Sequence, residues 1–103
     1  MSRVAPEAAI ACALLPLLEL ERLKAERLAE LADDLCDFEA WERANSLARR
    51  LGEIRTALNA GDALEQGRAL LSARQRLARV IREAQEVGCK LLKRLLRRSE
   101  PRA

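Results

Sequence analysis

Side chains that usually perform catalysis are scarce in this sequence. Its 103 residues include no histidine and no tyrosine, so the commonest general base of enzymes is missing. The four serines, Ser2, Ser46, Ser72 and Ser99, have no identifiable activating partner, and there is no glycine-rich loop to hold a phosphate. We therefore predict that the protein is not an enzyme and uses no cofactor.

The three cysteines are the next candidates for chemistry. Cys12, Cys36 and Cys89 are odd in number, far apart and outside any paired ligand motif, and no histidine can complete a zinc site. We expect buried or half-buried thiols in a protein of the reducing cytoplasm.

A cluster of carboxylates, Asp33, Asp34 and Asp37, has ligand chemistry for a metal ion. It lacks the alternating oxygen ligands and the glycine of a calcium loop. Solvated carboxylates at a helix break explain it better, so the sequence predicts no metal site.

Charge is unevenly distributed along the chain. Residues 1–67 carry 8 basic and 13 acidic side chains, a net charge of −5, whereas residues 68–103 carry 11 basic and 3 acidic side chains, a net charge of +8. Within the basic part, residues 90–98 form a basic amphipathic segment. It suits an acidic partner protein, nucleic acid phosphates, an anionic membrane surface, or simply a solvated helix end. For nucleic acid there is no aromatic stacking platform and no helix-turn-helix signature.

The two aromatic residues, Phe38 and Trp41, lie three positions apart and therefore on one helix face. The favoured interpretation places both in the core. The alternative leaves Trp41 partly exposed as an interface hot spot, because tryptophan is enriched at such positions.

The composition indicates what must position these residues. Half of the chain is hydrophobic, 34% is charged and only 2% is aromatic, which is typical of long amphipathic helices. We predict one all-α domain over residues 1–103, built as an antiparallel helical hairpin or a three-helix, coiled-coil-like bundle. A small aliphatic core favours association with a second copy or with a partner.

Proline, glycine and aspartate divide the pattern into helices. Pro16 predicts that residues 6–15 and a helix from residue 17 onward are separate or kinked. Residues 17–59 read as helical with a possible break near 33–37, where Asp37 would cap a new helix. One long helix that shifts its face there is the alternative.

The third helix is predicted over residues 62–98, after a helix end at residues 59–61 and an N-cap at Asp62. So short a connection implies an antiparallel hairpin, and residues 99–103 read as a loose tail. Additional apolar positions predict packing on two sides of this helix. Its heptad seam comprises Leu70, Ala73, Leu77, Val80, Ala84, Val87 and Leu91.

The uninterrupted apolar run over residues 8–18 is too short to span a bilayer, for which about 20 residues are needed. It also lacks the basic cluster of a signal peptide. We expect a core-facing helix here, with a membrane-surface role as the alternative.

Three stretches resemble a known class of proteins. Residues 17–23 (LLELERL), 32–44 (ADDLCDFEAWERA) and 47–51 (LARRL) are similar to the small cytoplasmic chaperones of flagellar and type III export systems. The resemblance covers residues 17–96 and departs from the family at Gln85 and Gly88, where asparagines are expected. The chain is also short for the hook-associated-protein branch. The resemblance implies a helical hairpin that holds the amphipathic tail of an export substrate.

We therefore predict a protein-binding adaptor, an export chaperone, whose apolar groove receives a partner's amphipathic helix. The alternative is a regulator that sequesters a transcription factor or binds nucleic acid through its basic C-terminal helix; a purely structural coiled coil is a third interpretation. Basic residues near the C-terminus would steer an acidic partner. The predicted partner-binding residues are Leu71, Ile81, Leu92 and Leu95 in the groove, Trp41 at its rim, and Arg94, Arg97 and Arg98.

Overall fold

Three helices make up most of the part of the chain that the structure describes. A computed structural model describes residues 6–59 and 63–99, and the surroundings of the side chains over residues 13–59 and 68–98. The helices are α1 (Pro6–Asp34), α2 (Phe38–Asn59) and α3 (Ala63–Ser99). Because these described ranges are helical apart from one short turn, the prediction of an all-α fold is confirmed.

Helix α1 is continuous through Pro16, so the predicted separation of residues 6–15 from residue 17 onward is wrong. Proline removes one backbone N–H donor from a helix and does not forbid the helical dihedral angles of its own residue. Pro16 is exposed, and its neighbour Leu18 is buried in the core. The apolar packing of the following turns therefore holds this helix across the missing hydrogen bond.

The connection between α1 and α2 is a three-residue corner, which answers the question that the sequence left open near residues 33–37. The N–H of Cys36 donates to the carbonyl of Asp33 at 3.0 Å, and the N–H of Asp37 donates to the carbonyl of Ala32 at 2.8 Å. This pair of hydrogen bonds is a Schellman motif, which requires a left-handed residue at its centre. Cys36 occupies that position with φ of 56°.

Asp37 closes the corner and starts the next helix. Its Oδ1 accepts a hydrogen bond from the N–H of Ala40 at 3.1 Å, as an N-cap side chain does. The predicted cap at Asp37 is confirmed. One residue therefore ends the turn of α1 and begins α2.

The relative directions of the three helices follow from the ion pairs between α2 and α3 and from the short corner between α1 and α2. Increasing residue numbers on α2 pair with decreasing numbers on α3, so these helices are antiparallel. The short corner makes α1 and α2 antiparallel too, and α1 consequently runs in the same direction as α3. The α2–α3 pairs, extended by the cap residue Asp37, are Asp37–Arg94, Glu39–Lys90, Arg43–Glu86, Arg50–Glu83 and Glu53–Arg76.

The core is an aliphatic layer shared by the three helices. Near the corner, Ala32, Leu35 and Ala40 pack with Val87 and Leu91; the larger cluster fills the rest of the bundle. The predicted seam of α3 is buried except at Ala84, which is half-buried, so that prediction is confirmed. The larger cluster comprises Leu18, Ala25, Leu47, Leu51, Ile54, Leu58, Leu70, Ala73, Leu77 and Val80.

Several predicted features lie outside the described residues. These are the helix end at residues 60–61, the N-cap at Asp62, and residues 100–103 of the predicted tail. Ser99, the first residue of that predicted tail, is the last residue of α3.

The left-handed corner yields a stability prediction. A side chain in this conformation costs about 1–2 kcal/mol, a cost that glycine avoids. We expect Cys36→Gly to raise the free energy of unfolding by about 1 kcal/mol, measured by urea denaturation.

Two control variants separate the backbone effect from loss of the thiol. Cys36→Ala retains a Cβ, so it should give no comparable gain. Cys89→Gly places glycine in the interior of α3 and should lower stability by a few tenths of a kcal/mol. A destabilised Cys36→Gly would contradict the left-handed assignment.

Candidate protein-docking site

An apolar groove lies between α1 and α3, on the side of the bundle away from α2. Its volume is about 450 Å³, and its apolar lining comes from Leu23 and Leu28 on α1 and from Ile81 and Ala84 on α3. Gly88 of α3 faces Leu28 of α1: a Cβ built on the glycine would lie 3.7 Å from Cδ2 of Leu28, an ordinary van der Waals contact. Ile81, predicted as a groove residue, is half-buried at this place.

One buried charge lies beside these apolar residues. The carboxylate of Glu21 is almost fully buried in the lining, and its Oε1 is 3.3 Å from Nζ of Lys24. Lys24 and Arg27 stand at the edge of the groove with largely exposed side chains. The groove therefore combines an apolar floor with a polar rim, which is the usual construction of a recognition site.

The α1 wall carries three exposed leucines that were not among the predicted site residues. Leu17, Leu20 and Leu23 are each between about two fifths and one half exposed. At about 100° per residue they lie on the same half of α1 as the groove residue Leu28. The sequence did carry a signal for these exposed leucines: apolar residues occur all around α1, whereas a surface helix usually carries them on one side only.

The α3 wall carries an outer strip, which we define as Leu71, Ala78, Gln85 and Leu92. These residues recur every seven positions and all four are exposed. Leu71 is 64% exposed and Leu92 is 53% exposed. Together with the groove and the exposed leucines of α1, the outer strip forms what we call the open face.

The aromatic pair lies elsewhere, at the corner. The rings of Phe38 and Trp41 stack with centroids 5.6 Å apart. Phe38 is 68% exposed and Trp41 is 38% exposed, so the favoured prediction of two core anchors is wrong. Ala40 and Ala44 occupy the inward positions of this part of α2, which turns both rings outward. The partial exposure proposed for Trp41 as the alternative is observed, but on a different surface from the open face.

The predicted site residues therefore do not form one site. Leu71, Ile81 and Leu92 belong to the open face, whereas Trp41 lines a separate corner pocket with Cys36. The other members are in the last turns of α3, where Leu95, Arg97 and Arg98 are exposed.

Arg94 has a structural contact within the bundle, and its predicted role in steering a partner stays a prediction. Its Nη1 lies 2.9 Å from Oδ2 of Asp37, which is buried and has no in-line hydrogen-bond donor among the described residues. The Arg94 guanidinium, followed by the N–H of Ala40, holds the pKa of Asp37 below its ordinary value. Arg94 therefore joins α3 to the corner.

The remaining candidates for chemistry offer little. Cys36 and Cys89 are exposed, which corrects the expectation of buried or half-buried thiols, and the Cys12 side chain lies outside the described residues. Within the described ranges, no three potential metal ligands come together. No helix there has the length and hydrophobicity to cross a bilayer.

Comparisons with known proteins give no match. No family model matches the chain, and neither a curated protein nor a solved structure matches it. The resemblance to export chaperones consequently stays a prediction.

The Asp37–Arg94 contact gives a pH-dependent prediction. Because the pKa of Asp37 is lowered by folding, its ionisation stabilises the protein above the pKa of the unfolded chain. This stabilisation is lost as the pH falls through the lower pKa of the folded state. Asp37→Asn keeps a capping oxygen but removes the charge, so we expect it to lower the free energy of unfolding by roughly 1 kcal/mol at neutral pH.

The difference between wild type and Asp37→Asn should disappear in strong acid, when both carry a neutral side chain. Denaturant titrations between about pH 7 and pH 2 measure it. Asp33→Asn is the control, since Asp33 is exposed and has no ion-pair partner among the described residues. A pH-independent difference for Asp37→Asn would contradict the ion-pair assignment.

Proposed function

We propose that this protein is a non-enzymatic adaptor that holds an amphipathic helix of another protein on its open face. The observation that carries the proposal is the exposure of leucines on both walls of an apolar groove. Leu20 and Leu23 form one wall, and Leu71 and Leu92 belong to the other. A helix placed between them would bury all four. Full burial of an exposed leucine contributes about 1.5–3 kcal/mol, and these side chains, already about half buried, would gain about half of that each.

The dimensions of the open face support a helix as the occupant. Leu71 and Leu92 are 21 residues apart on α3, which corresponds to about 32 Å along the helix axis. The seven-residue recurrence of the outer strip matches the spacing at which one helix meets another in a coiled coil. A partner segment of about six turns would complete a four-helix arrangement with α1, α2 and α3.

Among adaptors that bind an amphipathic helix, the resemblance of residues 17–96 to export chaperones favours one whose partner is an export substrate. A chaperone of this kind would shield the apolar side of a substrate's terminal helix until export. The open face supports helix binding in general, and the resemblance alone supports this narrower role.

A neutral probe peptide tests helix binding. The peptide would have about 25 residues, leucine at heptad a and d positions, glutamine at the flanking positions and a fluorescent label. We expect it to bind the wild type. Leu71→Asp/Leu92→Asp should weaken binding at least tenfold, because two charges would face the peptide's apolar stripe. Fluorescence anisotropy measures the Kd.

The matched control is Phe38→Asp, which makes the same kind of change on an exposed residue outside the open face. It should leave the Kd unchanged, and circular dichroism should show that all variants are folded. Sedimentation of the unliganded protein determines whether copies of the chain already cover the face. Absence of binding by a monomeric wild type, or an equal loss in Phe38→Asp, would refute the proposal.

A further inference from the structure

Eight of the ten cations of α3 fall into two groups. Arg76, Lys90 and Arg94 face α2 and its cap residue, and each lies within 3.5 Å of a carboxylate there. A second group lies on the solvent-exposed side of α3. None of its members has an ion-pair partner among the residues that the structure describes. This group, which we call the cation stripe, comprises Arg68, Arg79, Arg82, Lys93 and Arg97.

The cation stripe is linear. At about 100° per residue its five members fall within roughly 60° of each other around α3. From Arg68 to Arg97 they extend over 29 residues, or about 44 Å along the helix axis. Among the described residues of α3, Glu86 is the only carboxylate within this line, and it pairs with Arg43 of α2 at 3.3 Å. Five cations against one acid leave the line with a net positive charge, which an external anion can compensate.

The position of the cation stripe beside the outer strip indicates which part of a bound helix would lie over the cations. Passing around α3 from the side that contacts α1, one meets Ile81 and Gly88 first and the outer strip next. The cation stripe follows roughly a quarter turn after the outer strip, and the cations that pair with α2 come last. A helix seated on the outer strip therefore has one of its flanks over the cation stripe.

We propose that the partner's amphipathic helix is acidic on the flank that lies over α3. This inference rests on the proposed function and specifies the chemistry of the partner. Glutamate or aspartate at the e or g positions of that helix would meet Arg79, Arg82 and Lys93 while its leucines cover the outer strip. Charge complementarity would then determine which partner helix binds and in which orientation it lies on the open face.

Other anionic surfaces fit the face less well. A nucleic acid bound to the stripe would leave Leu71 and Leu92 facing water, and the two aromatic rings lie on α2, away from the stripe. An anionic membrane is flat, whereas the open face contains a groove lined by the half-buried Ile81 and Ala84 below exposed leucines.

A second copy of this chain also matches less well than an acidic helix. Its exposed α1 leucines are accompanied by Lys24 and Arg27, whose charges would approach the cation stripe. Such an approach of like charges disfavours the pairing.

Three probe peptides test the inference. They share the leucine stripe of the neutral peptide described above and differ only in their flanks, which carry glutamine, glutamate or lysine. At an ionic strength of about 50 mM we expect the glutamate peptide to bind the wild type about 10- to 100-fold more tightly than the glutamine peptide. The lysine peptide should bind most weakly. At about 0.5 M salt the three Kd values should converge.

Charge removal identifies the residues responsible. Arg79→Gln/Arg82→Gln should reduce the advantage of the glutamate peptide over the glutamine peptide at least threefold, and it should leave the Kd of the glutamine peptide unchanged. The matched control is Arg49→Gln/Arg55→Gln, which removes the same charge from exposed residues of α2. That control should retain the full advantage.

The outcomes separate the two proposals. If the glutamine and glutamate peptides bind equally, helix binding stands and the acidic flank is refuted. If neither binds to a monomeric protein, the proposed function itself fails. Duplex DNA or anionic vesicles should not displace the glutamate peptide at the same salt. If either displaces it and binds more tightly than the peptide does, the stripe is assigned to that ligand and the inference is overturned. Self-association that is abolished by Arg79→Gln/Arg82→Gln would assign it to a second copy.

Discussion

The Asp37 carboxylate is the contact on which the arrangement of the three helices depends. One oxygen caps α2 through Ala40, the other faces Arg94 of α3, and the residue's own N–H closes the turn of α1 through Ala32. The buried carboxylate of Asp37 thus fixes where α2 begins and the position of α3 along the bundle axis relative to the corner. The α2–α3 ion pairs continue the same register along the bundle, although each exposed pair adds only a few tenths of a kcal/mol.

This arrangement decides which surface is left open. Cations that face α2 have their charges compensated, and the apolar residues of α2 are covered by both neighbours. On the other side, none of the three described helices covers the exposed leucines, the groove and the line of cations of α1 and α3. The bundle is therefore closed around α2 and open between α1 and α3, which is the physical basis of the proposed adaptor function.

The sequence predicted the elements better than their exposure. The heptad seam of α3 and the cap at Asp37 both follow from spacing and local chemistry. Two features depend on which side chains pack against the core: the continuity of α1 through Pro16 and the exposure of the Phe38 and Trp41 rings. The spacing of residues along the sequence does not show which neighbours fill the core positions. The contact of Arg94 with Asp37, 57 positions away in sequence, exists only in the folded chain and could not be predicted from spacing.

The most direct measurement is methyl NMR of the leucine-labelled protein, titrated with the glutamine-flanked peptide. It reports separately on the open face, the core and the rest of the surface. The largest shift changes should occur at Leu20, Leu23, Leu71 and Leu92, with smaller ones at the buried Leu47 and Leu51. Changes centred on Leu35 at the corner, with the open face unaffected, would contradict the account.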